Sequence, residues 1–317
     1  MARIARVFGK RLSLNALFES PTVAQLAKHI EDAEKTLGRH SLVSIQAAGS
    51  RPPIFWIPGG AALGLFRLTH IVTRLGPDQP VYGLGSNHPE SLRDIETVEE
   101  RSRMYLQLVR RLQPHGPYCF AGFCAGGRVA YEMAQQLTAV GETVAFVGMI
   151  NCSYPNYPSG RLGKFLFRAQ RLQHQIREAQ ANHLGIFGYI KQKIVDKQKA
   201  RSAQRKLSAA AEQVNQSGFE QGVNVHNDLL LQATAEVFDR YRPRPYAGAV
   251  CLLVSDEDGY LGVSRRLDPR FAWKRYVAVS DIRELSGGHD GVLEPERGTF
   301  AETLKAALDQ ALEKAEG

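Results

Sequence analysis

The residues best placed to do chemistry are Cys124 and His289. The first lies in Ala121-Gly122-Phe123-Cys124-Ala125-Gly126-Gly127. Tyr118 to Ala121 reads as a short apolar strand, and Arg128 to Leu137 has helical spacing with Val129, Met133 and Leu137 on one face. Strand, Gly-x-Cys-x-Gly, then helix is the layout of a nucleophile elbow, with cysteine where serine is usual. In such a turn the nucleophile sits on strained backbone, and side chains at Gly122 or Gly126 would strike the adjoining strand and helix. Ala125 would offer its backbone N–H, at the start of the helix, to an oxyanion. The chemistry this spacing implies is attack by a thiolate on an acyl carbon, with a histidine handling the proton. The bland alternative for the pentapeptide alone is a glycine-rich turn around a buried structural cysteine.

The elements around the elbow decide between these readings. Leu42 to Ile45 is a candidate first strand, and Pro53 to Ile57 is a continuous apolar run of the kind a buried parallel strand shows. That run ends in Pro58-Gly59-Gly60-Ala61, the loop from which folds of this layout draw a second oxyanion N–H, here at Gly60 or Ala61. A helix over 65–75 and a strand over 81–84 complete a βαβ unit. Thr97 and Glu100 open a helix over 97–112 with a capping box. A buried strand over 143–150 ends at Asn151. Residues 155–226 are basic and helix-prone without a strand signal, which is the position of a lid. A helix over 228–241 follows, then a strand over 249–254 running into Asp256-Glu257-Asp258. A last strand over 281–285 leads to Ser286-Gly287-Gly288-His289, and a helix over 300–312 closes the chain.

Composition narrows the classes. A chain of 317 residues, 44% hydrophobic, holds one large α/β domain with an appendage. Cysteines 119, 124, 152 and 251 lie in or beside apolar runs and form no C-x-x-C pair, which argues against a disulfide framework or a zinc site and for a reducing cytoplasm. Arg3, Arg6, Lys10 and Arg11 with no neighbouring acid resemble a transit peptide superficially, but the apolar run there is too short for a secretory signal or a membrane span. The net charge of +8 is concentrated between Arg161 and Lys206, where twelve Lys and Arg face Glu178 and Asp196. A solvated helical face or an anionic partner accounts for it. No recognition motif for nucleic acid accompanies the charge.

Strands alternating with helices give a mostly parallel sheet covered on both faces, and the order nucleophile, acid candidate, late histidine is that of the α/β-hydrolase fold. More narrowly, residues from about 52 to 312 resemble the thioesterase domain that ends modular polyketide and non-ribosomal peptide synthetases. The likeness is carried by Pro58-Gly59-Gly60, Leu112 to Tyr118, Gly122 to Gly127, Tyr241-Arg242-Pro243 and Gly287-Gly288-His289. Upstream, Leu14 to Ile30 resembles the C-terminal half of an acyl or peptidyl carrier domain, with Ser20-Pro21-Thr22 starting a short amphipathic helix. The Gly-Gly-x-Ser stretch that carries phosphopantetheine is absent. The implied organisation is therefore a truncated carrier over 1–35, a linker and candidate first strand over 36–52, and the thioesterase domain over 53–317.

The resemblance places Cys124 at the nucleophile and His289 at the general base. It departs from the family twice, because the usual nucleophile is serine and the usual acid stands where this chain has Asn151. The departures are chemically compatible. A cysteine beside histidine can exist as a thiolate–imidazolium pair, so the third member need only hold the ring, and an amide oxygen can do that. Asn151 is the first choice for that role. Asp256, at the end of the following strand, is the alternative, with Asp258 behind it. The expected activity is chain release, from a carrier's phosphopantetheine thioester onto Cys124 and then to an amine, into a ring or to water. No cofactor is expected on the domain itself, no metal, no nucleic acid and no membrane. An editing hydrolase that clears stalled carriers is the rival enzyme reading, and a catalytically degenerate docking module is the rival of another class.

Overall fold

The computed structural model describes residues 22–32, 40–59, 68–86, 97–181, 237–256, 263–294 and 299–316. The expectations for Gly60, Ala61, Asp258 and the lid beyond residue 181 lie outside the described residues, as do those for residues 1–21.

Seven strands form one sheet: β1 His40–Gln46, β2 Ile54–Ile57, β3 Val81–Ser86, β4 Tyr118–Phe123, β5 Val144–Ile150, β6 Tyr246–Ser255 and β7 Val277–Leu285. Their spatial order is β1-β3-β2-β4-β5-β6-β7. β1 runs antiparallel to β3, and every other pairing is parallel. The helices are α1 Val23–Asp32, α2 Leu68–Leu75, α3 Val98–Leu112, α4 Gly126–Ala139, α5 Gly160–Ala181, the short α6 Gly288–Gly291 and α7 Phe300–Glu316.

The continuous apolar runs follow from burial on both faces. Along β2, Phe55 and Ile57 enter one core while Ile54 and Trp56 enter the other; along β4, Tyr118 and Phe120 divide from Cys119 and Ala121 in the same way. Helices α3 and α4 cover the first face, through residues such as Tyr105, Val109, Met133 and Leu137. Helices α2 and α7 cover the second, through Leu68, Ile71, Leu304 and Leu308. The caps are local chemistry. Thr97 accepts from the Glu100 N–H at 3.1 Å. At α1 the exchange is reciprocal: the Gln25 N–H reaches Thr22 Oγ1 at 3.2 Å and the Thr22 N–H reaches Gln25 Oε1 at 3.1 Å.

The insertion between β5 and β6 opens with α5, whose first half carries Arg161, Lys164 and Arg168 beside the exposed Leu162 and Phe165. The two necks of the insertion are joined. Asn156 Nδ2 donates to the Asp239 carbonyl at 2.6 Å, and Arg128, on the first turn of α4, donates from Nε to the Ser153 carbonyl at 3.1 Å. No helix among the described residues is long and apolar enough to cross a membrane.

Candidate active site

The elbow takes the form its glycines demand. β4 ends at Phe123, Cys124 adopts φ 52°, and Ala125 caps α4, which begins at Gly126. The Cys124 N–H donates to the Ile150 carbonyl at 2.8 Å, so the ladder to β5 continues into the turn. A Cβ on Gly122 would lie 2.4 Å from the Gly126 carbonyl oxygen, and one on Gly126 would lie 2.2 Å from that of Ile57. Gly59, just after β2, lies directly against Cys124, since a Cβ on it would come within 2.7 Å of the Cys124 Cβ. Cys124 is partly exposed while Cys119, Cys152 and Cys251 are buried, and all four are free thiols.

Asn151 leaves β5 beside the elbow with φ 47° and is 2% exposed. Its main-chain N–H donates to the Leu253 carbonyl at 2.9 Å. Its side chain bridges two segments: Oδ1 accepts from the Ser255 N–H at 2.8 Å and from Ser255 Oγ at 3.0 Å, and Nδ2 donates to the His289 carbonyl at 3.2 Å. Asp256 follows β6 and caps the turn before the histidine, its Oδ1 accepting the Gly288 N–H at 3.0 Å and the Gly287 N–H at 2.8 Å. Gly287 and Gly288 have φ of 113° and 70°, which is why glycines stand there. His289 lies in α6 with its ring centroid 5.0 Å from that of Phe123, the residue before Cys124. Cys124, Asn151, Asp256 and His289, far apart in sequence, thus come together at the C-terminal ends of the parallel strands β4 to β7.

The electrostatics separate these groups. The N–H groups of Gly288 and Gly287 hold the Asp256 carboxyl below the ordinary carboxylate range. Burial pushes the thiols of Cys119, Cys152 and Cys251 up to about 12. Nothing in the local sequence announces Ser255 as a partner of Asn151, nor Asp268 and Arg270 behind it. Asp268 and Arg270 flank Pro269, and only the packing of residues 263–276 shows that both charges are buried.

Residues 52–162 match the thioesterase-domain family. The chain is 35% identical over 159 residues to a dimodular nonribosomal peptide synthase of Bacillus subtilis, a match covering 50% of this chain and 7% of that protein. The nonribosomal peptide synthetase btyA of Aspergillus terreus is 26% identical over 301 residues, 89% of this chain and 31% of the synthetase. The chain therefore spans only a small part of the curated relatives it matches. Among solved structures, the NocB thioesterase domain from the nocardicin cluster aligns with a TM-score of 0.56 at 21% identity, covering 84% of this chain and 98% of that domain. A four-domain nonribosomal peptide synthetase, holo-AB3403, aligns with a TM-score of 0.58 at 21% identity over 97% of this chain and 23% of its own. The thioesterase region accordingly has the α/β-hydrolase fold.

Proposed function

We propose that this chain is the chain-releasing thioesterase of an assembly-line synthetase and that Cys124 is its nucleophile. The observation that carries the reading is the elbow itself. Cys124 keeps left-handed backbone, with Gly59, Gly122 and Gly126 each in a space that a Cβ would overfill. A non-glycine residue in that conformation costs about 1–3 kcal/mol and persists where the strain serves a site. The same observation favours an enzyme over a degenerate docking module.

In the reaction, the Cys124 thiol gives its proton to His289 and the thiolate attacks the acyl carbon of a pantetheine thioester. The oxyanion is held by the Ala125 N–H and by the loop after Gly59, where Gly60 and Ala61 stand. The tetrahedral adduct collapses, the carbon–sulfur bond to pantetheine breaks, and His289 returns the proton to the leaving thiolate. Release reverses the roles: an amine, hydroxyl or water loses its proton to His289 as it attacks, and Cys124 leaves. Asn151 positions His289 through the main chain, by its Nδ2 bond to the histidine carbonyl; its amide oxygen, expected on the ring, is instead taken by Ser255. Asp256 is the alternative, supported by its hold on the preceding turn. The basic and apolar surface of α5 suits an acidic carrier that delivers the thioester, and α1 is read as the last helix of a carrier domain.

The test is intact mass after incubation with a synthetic acyl-pantetheine thioester. An adduct mapped to Cys124, absent from Cys124→Ala, is the expected result. Turnover by Cys124→Ala at the wild-type rate overturns the mechanism.

A further inference from the structure

The segment between β6 and β7 buries two charges that no step above uses. Asp268 is 4% exposed and Arg270 is 5% exposed. The guanidinium closes on the carboxylate, with Nη2 2.8 Å from Oδ2 and Nε 3.1 Å from Oδ1, and the Arg270 N–H adds a bond to Oδ1 at 2.9 Å. The other arm, Nη1, donates to the main-chain carbonyl of Ser255 at 2.5 Å. Ser255 is the residue whose N–H and hydroxyl both go to Asn151 Oδ1, and Asn151 Nδ2 goes on to the His289 carbonyl. The next residue, Asp256, holds the N–H groups of Gly287 and Gly288. These two connections to the histidine segment therefore start from the Ser255–Asp256 step, and Arg270 holds that step from behind.

A buried ion pair is a poor source of stability, because an apolar pair of similar volume often does as well. What an apolar pair cannot do is aim. The planar guanidinium spends one edge on Asp268 and presents its remaining donor in a fixed direction. We propose that Arg270, held by Asp268, is a positioning residue for the Cys124–His289 pair, acting through Ser255 on Asn151 and Asp256. The inference rests on the reading of Cys124 and His289 as nucleophile and base.

Two variants test it. Asp268→Leu with Arg270→Met removes both charges, so no unpaired charge is left buried. Arg270→Lys keeps a cation beside Asp268 but lacks the fork that also serves Ser255. Each is compared with wild type and His289→Ala for unfolding midpoint, for the rate of Cys124 alkylation across mildly acidic to mildly alkaline pH, and for kcat and KM on an acyl-pantetheine thioester. The double variant is expected to unfold no earlier than wild type. Its alkylation near neutral pH and its kcat fall about tenfold to hundredfold, the cost of a misplaced reacting group. KM changes little, and the alkylation pH profile moves towards that of His289→Ala. Arg270→Lys moves the same way and carries the test alone should the double variant be unfolded. A wild-type profile and kcat in either folded variant overturns the positioning role. Alkylation of His289→Ala as fast as wild type overturns instead the site assignment on which the inference stands.

Discussion

Asn151 holds His289 by its main chain: the amide Nδ2 donates to the His289 carbonyl at 3.2 Å across 138 positions of sequence. Its oxygen is committed to both donors of Ser255. The amide is therefore used at both ends, and aspartate is not a neutral exchange for it. In Asn151→Asp an oxygen replaces the donor and faces a carbonyl oxygen, at a site only 2% exposed. The ionised acid is disfavoured there, so its folded pKa is expected to lie above the ordinary value of about 3.9. Asn151→Asp should lose about 1–3 kcal/mol of stability at neutral pH, the cost of a buried unsatisfied group. The deficit should shrink as pH falls through the raised pKa, because the protonated acid donates again. Denaturant unfolding of variant and wild type at neutral and mildly acidic pH checks this, and a constant difference across that range would count against it.

The Asp256 carboxylate offers a second pH handle of opposite sign. Its folded pKa is depressed, first by the Gly288 N–H and then by that of Gly287. A depressed carboxyl contributes stability that is present above its unfolded pKa and is lost as pH falls through the folded value, so the window lies below about pH 4. Through neutral pH the cap on the turn before His289 should stay intact. A carbon-detected titration of the Asp256 carboxyl reads its midpoint directly; a midpoint above the ordinary carboxylate value would reverse the assignment. Asp256→Ala and Asn151→Ala, compared for kcat, rank the two residues as holders of the histidine. The larger loss is expected for Asn151→Ala.

Much of this site is legible in the sequence because the elbow obeys local rules. Gly122 and Gly126 stand where backbone oxygens leave no room for a Cβ, and the apolar runs of β2, β4 and β5 follow from burial on both faces. The long antiparallel excursion of β1 to the sheet edge beyond β3 is not legible, since periodicity identifies strands but not their neighbours. Nor is the pair Asp268–Arg270, because charged residues two apart around a proline carry the signature of a solvated turn. The bond from Ser255 to Asn151 joins residues 104 apart, and nothing in either local sequence announces it.

The left-handed backbone of Cys124 predicts an unusual order of stabilities. Glycine normally costs about 0.5–1 kcal/mol relative to alanine because it loses more freedom on folding. At φ 52° alanine retains the strain of the cysteine and glycine does not. The two effects oppose, and left-handed strain of about 1–2 kcal/mol is the larger. Cys124→Gly should therefore be at least as stable as Cys124→Ala, with neither able to form an acyl-enzyme. Chemical denaturation of the two variants decides, and a glycine variant clearly weaker than the alanine one would mean that the turn is not strained.

Thiol reactivity should single out Cys124, the proposed nucleophile, without any substrate. Burial pushes Cys119, Cys152 and Cys251 up to about 12, so at neutral pH their thiolate fractions are negligible and access is closed. Native wild type treated with an alkylating agent should gain one adduct, at Cys124, and Cys124→Ala should gain none over the same interval. Rapid labelling of a buried cysteine in the folded protein would remove the premise.

The choice of cysteine over serine bears on where the acyl group goes. Transfer from the pantetheine thiol to Cys124 exchanges one thioester for another, so it is nearly neutral in energy and leaves the acyl group activated. A serine would store it as an oxygen ester, which reacts less readily with amines. A thioester intermediate suits release by a nitrogen nucleophile or closure of a strained ring better than it suits hydrolysis. The comparison is made with wild type and Cys124→Ser on one acyl-pantetheine thioester, with and without candidate amines. Wild type should divert a larger share of product to amide or ring. Cys124→Ser should turn over more slowly, since a hydroxyl depends wholly on His289 for its proton transfer, and should give more free acid. Identical acid from both proteins in the same proportion, with no amide and no ring, would leave only a hydrolytic thioesterase.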